Sequence, residues 1–233
     1  MTGFSESSIA TRLAAVRERI ARAATTVGRA PGEVRLIGVS KRQPIEAMRA
    51  ALAAGLEDFG ENFLQEALAK MDGLGPTTAR WHFIGALQSN KTATVAERFD
   101  WVHSVDRLKL AQRLSRQRPE HLAPLNVCIQ VHIGDEASKS GVPPAATAEL
   151  AHCIAALPRL RLRGLMAVPP PEDDITRQRA WFRQLAELQA GLCAGGLALD
   201  TLSMGMSGDL EAAIAEGATL VRVGTAIFGP RTT

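Results

Sequence analysis

Short apolar runs alternate with amphipathic segments along most of the chain. The first run, residues 34–41, is rich in β-branched side chains and too short for a typical helix, so it predicts a buried strand. A helical pattern follows at 45–54, and this order repeats seven more times, with the last helix short or poorly marked. The other predicted strands are residues 58–60, 80–85, 101–105, 125–133, 160–168, 201–205 and 220–223.

An amphipathic helix precedes the first strand. Its apolar residues Ile9, Leu13, Val16 and Ile20 are spaced four, three and four apart, and Ser7 and Ser8 lie before it as starting signals. Farther along, Asp106 is a plausible N-cap for a helix at 107–117.

Eight strands that alternate with helices predict parallel pairing with crossover helices. The 233 residues contain no linker or low-complexity stretch, so they predict a single domain over residues 1–233. An α/β fold of the (β/α)8 TIM-barrel type with one extra N-terminal helix accounts for all of these elements. An open doubly wound sheet is less favoured, because no Gly-x-Gly-x-x-Gly motif follows the first strand.

Composition excludes several classes of function. The net charge of +3 is spread over 27 basic and 24 acidic residues without a basic block, which disfavours nucleic-acid binding. The three cysteines lie in apolar patterns and are expected to be reduced core thiols, and the five histidines have no metal-ligand spacing. No signal-peptide core or membrane-length apolar run is present, so we expect a cytoplasmic protein without a metal site.

The first strand delivers a lysine, Lys41, at its carboxyl end. Lysine there has two interpretations: a side chain that extends into water, or a desolvated amine that forms a Schiff base with a carbonyl compound. Chemistry in a barrel is found at the carboxyl ends of its strands, where Asn62, Gly85, Ser207 and Gly224 are also predicted to lie.

The loops after strands seven and eight carry a second signal. Residues 202–209 and 221–229 are rich in small residues and glycine, and these two loops often hold phosphate in barrels. Ser207 alone could be a helix cap and Gly224 a tight turn. Together with a strand-end lysine, they favour a ligand that carries both a phosphate and a carbonyl group.

Seven motifs in these positions resemble the pyridoxal-phosphate homeostasis proteins, single-domain relatives of the alanine racemase barrel. They run in family order across nearly the whole chain: Val39-Ser40-Lys41; Phe59-Gly60-Glu61-Asn62; Trp81-His82-Phe83-Ile84-Gly85 with Gln88-Ser89-Asn90-Lys91; Ser138-Lys139-Ser140-Gly141; Arg163-Gly164-Leu165-Met166; Leu202-Ser203-Met204-Gly205-Met206-Ser207; and Val221-Arg222-Val223-Gly224.

The resemblance implies a site for pyridoxal 5'-phosphate, with a role for each matching residue. Lys41 corresponds to the lysine that forms the Schiff base, and Arg222 to the partner of the pyridine nitrogen. Asn62 corresponds to a residue that lines the cofactor, although it could instead cap the helix it begins. The residues that correspond to phosphate ligands are Ser207, Gly224 and Thr225.

Two departures from the family pattern are visible. Gln43 replaces a second lysine common in relatives, and the C-terminus lacks a tyrosine often found there. The resemblance further implies a monomer that buffers the cofactor or supplies it to apoenzymes, without established turnover and with no assigned catalytic residue.

Two enzymatic functions are the alternatives. The first is a racemase-like enzyme, which is disfavoured because the related type uses a tyrosine from another domain and this chain has no tyrosine. In addition, Arg222 would keep a facing pyridine nitrogen unprotonated, which gives a weaker electron sink. The second is a Schiff-base aldolase-type barrel with no bound cofactor.

Other polar residues are predicted to be structural. Trp81 and His82 are expected in the barrel wall or core, and Lys139 in solvent. Glu61 could be a general base, but a glutamate at the start of a helix is the commoner case. Glu172, Asp173 and Asp174 resemble a solvated helix start.

Overall fold

The structure, a computed structural model, describes residues 6–134 and 141–230 and contains a closed barrel of eight parallel strands in sequential order. The strands are β1 (Arg35–Val39), β2 (Asp58–Glu61), β3 (Arg80–Phe83), β4 (Trp101–Val105), β5 (Leu125–Gln130), β6 (Leu160–Met166), β7 (Thr201–Ser203) and β8 (Leu220–Val223). Pairing of β1 with β8, in which Ile37 lies opposite Arg222, closes the barrel.

Helices surround the barrel. They are α1 (Glu6–Thr26), α2 (Ile45–Ala53), α3 (Leu64–Leu74), α4 (Thr92–Arg98), α5 (Leu108–Gln117), α6 (Pro144–Ala155), α7 (Ile175–Ala194), α8 (Leu210–Ala215) and α9 (Thr225–Phe228). The predicted (β/α)8 barrel with an extra N-terminal helix is therefore confirmed. The four apolar residues predicted for the inner face of α1 are all buried, and α1 contacts α2, α8 and α9.

The apolar core divides into two parts. A large cluster lies between the strands and the helices, because successive side chains of a strand point to opposite faces and one of these faces meets the helices. A small separate cluster consists of Ile37, Trp101, Cys128, Met166 and Leu220. These five residues all come from barrel strands, which leaves room between them for buried polar groups.

Several predicted local details are wrong. Helix α1 begins at Glu6, before the two predicted starting serines. Asp106 does not cap α5, because the N-cap position is Arg107 and the Asp106 carboxylate instead accepts from the Arg107 guanidinium at 2.6 Å. Of the cysteines expected in the core, Cys128 is buried but Cys193 is exposed.

Two parts of the family motifs lie outside the described residues: Ser138, Lys139 and Ser140, and the C-terminal residues 231–233. Within the described ranges, no helix combines the length and the apolar character needed to cross a membrane.

Candidate functional site

A cavity of about 330 Å³ opens at the carboxyl ends of β1 and β8 and of the strands near them. This volume lies within the range of small-molecule sites. The cavity is lined by Val39, Lys41, Asn62, Ile84, Val168, Met206, Ser207, Gly208, Arg222, Gly224 and Thr225. All six predicted binding residues therefore line one cavity.

Lys41 lies in a tight turn directly after β1. The next residue, Arg42, has a left-handed backbone with φ of 58°, which a residue other than glycine adopts only when its surroundings hold it there. The turn is held by its backbone groups: the Gln43 N–H donates to the Ser40 carbonyl at 3.0 Å, and the Arg42 N–H donates to the Glu66 carboxylate.

A buried ammonium holds the same turn from below. Lys70 on α3 donates to the Ser40 carbonyl at 2.6 Å, to Glu61 Oε1 at 2.7 Å and to Glu66 Oε1 at 2.6 Å. The Ser40 hydroxyl donates to the same Glu61 oxygen at 2.7 Å. Three acceptors around one nitrogen match the three donors of a protonated lysine. We call Lys70, Glu61, Glu66 and Ser40 the turn clamp.

Glu61 is consequently neither a solvated helix-start residue nor a general base in the cavity. It ends β2, is fully buried and forms an ion pair with Lys70. Burial raises the pKa of Glu61 above its ordinary value, although Lys70 and Ser40 act in the opposite direction. The adjacent Gln43 is also buried, so a lysine at this position would need a similar partner.

The turn after β7 presents free backbone donors. Ser207 is not the cap of α8, because Asp209 occupies the N-cap position. The Asp209 carboxylate accepts from the Met206 N–H at 2.5 Å, while Arg19 donates to the Ser207 carbonyl at 3.2 Å. Within the described part of the chain, the N–H groups of Ser207 and Gly208 donate to no protein acceptor. An anion in the cavity could accept from both.

The end of β8 comes very close to β1. A Cβ atom on Gly224 would lie 3.2 Å from the Val39 carbonyl oxygen, so only glycine lets the two strand ends approach this way without displacement. Thr225 begins α9, and its N–H group therefore has no partner within that helix.

Arg222 crosses the barrel interior below the cavity. Its guanidinium donates to the Ser203 carbonyl at 2.6 Å, to the Ser203 hydroxyl at 2.7 Å and to the Ala167 carbonyl at 2.9 Å. Burial lowers its pKa to about 10, against the opposing influences of Asp209 and Cys128. The group therefore stays protonated at neutral pH in one fixed orientation.

Asn62 supplies an unsatisfied acceptor at the opposite wall. Its Oδ1 atom is buried and has no hydrogen-bond partner among the described residues. The alternative role as a helix cap is wrong, because α3 starts at Leu64 with Phe63 at its N-cap position. Asn62 also lines an adjoining cavity of about 240 Å³, where Gly85 and His132 are found.

These groups fit pyridoxal phosphate. A lysine amine would meet its aldehyde, free N–H groups would meet its phosphate, the Arg222 guanidinium would meet its ring, and the orphaned Asn62 oxygen would gain a donor. A larger cavity of about 440 Å³ lies at the opposite end of the barrel, but it contains no lysine. We therefore place the candidate site at the carboxyl ends of the strands.

Sequence reasoning missed the turn clamp apart from Glu61, which it misplaced. The only signal for it was the four-residue spacing of Glu66 and Lys70 on one helix, a spacing that is common on solvated surfaces.

Comparison with known proteins gives a consistent result. Residues 11–232 match the family model of the alanine racemase N-terminal domain. A protein of Pseudomonas aeruginosa named pyridoxal phosphate homeostasis protein is 58% identical over 225 residues, which cover 97% of this chain and 96% of the relative. A protein of the same name from Escherichia coli K12 is 54% identical over 97% of both chains.

Solved structures agree with these relatives. PipY of Synechococcus elongatus, determined with PLP bound, superimposes with a TM-score of 0.84 at 40% identity over 95% of this chain and all of that one. An alanine racemase from Corynebacterium glutamicum gives a TM-score of 0.69 at 18% identity, and this chain covers 61% of it. That second likeness concerns the fold alone.

Proposed function

The chain belongs to the pyridoxal phosphate homeostasis protein family, and from this premise we propose that it holds pyridoxal 5'-phosphate in the cavity at Lys41 and supplies or buffers it for apoenzymes. The observation that carries the proposal is the convergence of Lys41, Arg222 and the Ser207–Gly208 N–H groups on one cavity.

Each residue has a defined task in this proposal. Lys41 would hold the cofactor through its amine, which would form a reversible Schiff base with the aldehyde group. Ser207, Gly208 and Thr225 donate to the phosphate through free N–H groups, and the Ser207 hydroxyl adds one further donor. The turn clamp fixes the backbone turn that places Lys41 in the wall of the cavity.

We further propose that the protein binds the cofactor without turning over a substrate. Among the described residues that line the cavity, Lys41 and Arg222 are the only titratable side chains. Bound pyridoxal phosphate can act as an electron sink for carbanions, but an unprotonated pyridine nitrogen makes that sink weak. A protonated Arg222 facing the nitrogen keeps its proton at neutral pH, and among the described residues no further acid or base lines the cavity.

The attachment site can be tested directly. The purified protein is incubated with pyridoxal phosphate, reduced with borohydride and digested, and the labelled peptide is identified by mass spectrometry. The chain has five lysines, so the assay distinguishes Lys41 from four others. We expect one label on Lys41 and none in Lys41→Ala, with an unchanged melting temperature before cofactor is added.

A control variant separates specific from general amine labelling. Lys109→Ala removes an exposed lysine on α5 and should leave both the label and the visible absorption band intact. A label that persisted on Lys91 in the Lys41→Ala variant would reject Lys41 as the attachment site.

Turnover is tested separately by following deuterium incorporation at the α-carbon of an added amino acid under saturating cofactor. We expect no exchange above that of free pyridoxal phosphate. Exchange at enzyme-like rates would support the racemase-like alternative, and His132 in the adjoining cavity would be the first residue to substitute.

A further inference from the structure

A row of buried polar side chains runs through the barrel interior from the amino end of β2 to Arg222. It consists of Asp58, His82, His103, Ser203 and Arg222, which come from β2, β3, β4, β7 and β8. All five residues are buried, and both histidines are fully so. We call these five residues the polar relay.

The relay is continuous. His82 Nε2 lies 2.9 Å from Asp58 Oδ1, and His82 Nδ1 lies 2.9 Å from His103 Nε2. His103 Nδ1 in turn lies 2.8 Å from the Ser203 hydroxyl, which accepts from Arg222 at 2.7 Å. Every link has the length of a good hydrogen bond.

The charge at the Asp58 end determines which atoms carry the hydrogens. Arg80 donates to both Asp58 oxygens at 2.8 Å. Burial alone would raise the pKa of Asp58, but the hydrogen bonds from Arg80 and His82 outweigh it and hold the pKa well below its ordinary value. Asp58 is therefore an ionised acceptor, and His82 must present Nε2–H to it.

The remaining hydrogens follow one by one. Both histidines are neutral, because burial lowers the pKa of each. With its hydrogen on Nε2, His82 can only accept at Nδ1, so His103 must donate from its own Nε2. His103 Nδ1 then accepts from the Ser203 hydroxyl, whose lone pair remains for Arg222.

We propose that this one-directional relay positions Arg222 for the cofactor, so that Asp58, His82, His103 and Ser203 are positioning residues for a ring that they do not touch. The inference rests on the proposed function for its effect on pyridoxal phosphate, but not for the direction of the hydrogen bonds. Aligned bonds in a low-dielectric interior reinforce one another, and the ionised carboxylate at one end favours donation from the cationic guanidinium at the other.

The role of Ser203 is the most specific part. Its hydroxyl connects the two sides of the relay, since it donates to His103 Nδ1 and accepts from Arg222. Without that oxygen, Arg222 keeps two carbonyl acceptors but loses the link that orients it from the relay side, and His103 Nδ1 loses its donor. A misoriented guanidinium would bind the pyridine nitrogen less well.

The first experiment determines the tautomers without cofactor. Two-bond 1H–15N correlation spectra distinguish protonated from unprotonated ring nitrogens. A variant with His121, His132 and His152 changed to glutamine retains only the two relay histidines and simplifies assignment. We expect both rings to be neutral with hydrogen on Nε2 at pH 7. Hydrogen on Nδ1 of either ring, or a charged ring, would overturn the proposed direction.

The second experiment compares two buried serines. Ser203→Ala breaks the relay, whereas Ser115→Ala removes an equally buried hydroxyl on α5 that donates to the Pro158 carbonyl at 2.5 Å, remote from the cavity. We expect Ser203→Ala to weaken pyridoxal phosphate binding about tenfold, equal to about 1.4 kcal/mol, and to shift the visible band. Ser115→Ala should change neither pyridoxal phosphate binding nor the visible band, although it should reduce the unfolding free energy by a similar amount.

The outcomes separate the two proposals. Equal dissociation constants for Ser203→Ala and Ser115→Ala would overturn the positioning role. Absence of cofactor binding by the wild type would overturn the proposed function and the coupling to the cofactor, while the tautomers would still decide the direction of the relay.

Discussion

The two buried histidines should make the protein strongly sensitive to mild acid. Burial is the largest influence on both His82 and His103 and lowers the pKa of each below its ordinary value. In the unfolded chain both rings recover a pKa of about 6.5. Below that pH the unfolded chain therefore binds two protons that the folded protein does not, so stability is lost as the pH falls through 6.5.

The magnitude follows from proton linkage. Since the pKa of each ring in the unfolded chain is about 6.5, each ring can remove at most about 1.3 kcal/mol of unfolding free energy between pH 7 and pH 5.5, or about 2.5 kcal/mol for both. Most carboxylates titrate below this window. Glu61 has the opposite effect on stability, because its raised pKa makes the folded state bind a proton at a higher pH than the unfolded chain does. Glu61 would therefore reduce the loss of unfolding free energy that the two histidines cause.

The measurement is a series of urea unfolding curves from pH 7 to pH 5.5 on the wild type and on His103→Gln. The glutamine retains a donor and an acceptor but cannot be protonated, so the loss of unfolding free energy between pH 7 and pH 5.5 should be smaller in the variant. The other three histidines are retained in both proteins and cancel in the comparison. A flat wild-type profile, or equal slopes for both proteins, would refute this reasoning.

Three further substitutions test the rest of the site. Ser207→Ala should weaken cofactor binding by about 1.5–3 kcal/mol, the typical contribution of a hydrogen bond to a charged group. It should not lower the stability of the cofactor-free protein, because Ser207 does not cap α8. An equal fall in melting temperature with and without cofactor would contradict this prediction. Lys70→Met should cost about 3–5 kcal/mol in urea unfolding by leaving Glu61 without its cation, and adding Glu61→Gln should recover part of that loss. The exposed ion pair between Arg98 and Asp72 provides the control, since Arg98→Met should lower the unfolding free energy by less than about 1 kcal/mol. Arg222→Glu should destabilise the fold by several kcal/mol, because its carboxylate would face two carbonyl oxygens, whereas Arg222→Gln should fold and show only weaker cofactor binding by spectroscopic titration.

The architecture was predictable because it depends on repeated local patterns. Eight apolar runs separated by amphipathic segments allow few other folds, and the barrel rule then places the end of every strand on one face. This is why residues as distant in sequence as Lys41 and Ser207 could be assigned to one site before any coordinates were known. The assignment of Arg222 and Asn62 depended on the family resemblance, since neither residue type is distinctive in its local sequence.

The polar relay could not be predicted in the same way. Asp58 begins its strand directly after Glu57, and His103 lies next to Ser104, so neither residue is marked in sequence as buried. His82 and Ser203 likewise carry no local sign of which polar group each one meets. Their partners are set by closure of the barrel, which brings His103 to Ser203 across 100 positions of sequence. Helix caps failed for a different reason: capping depends on the path of the chain into the helix, and the extended residue directly before α5 is Arg107.

A protein that stores a reactive aldehyde has different requirements from an enzyme that uses one. Storage needs a nucleophile whose bond to the aldehyde is reversible and a charge that matches the phosphate, both held rigidly so that little ordering entropy opposes binding. The turn clamp and the polar relay meet this need, since one fixes the backbone beside Lys41 and the other fixes the guanidinium of Arg222. Catalysis needs in addition a group that exchanges protons near neutral pH beside the bound ligand. In the described cavity the two titratable groups are both basic. In the proposed function Lys41 is the attachment site, and Arg222 keeps its proton. Under the proposed function, the same rigidity that favours retention of the cofactor provides no group for proton exchange beside it.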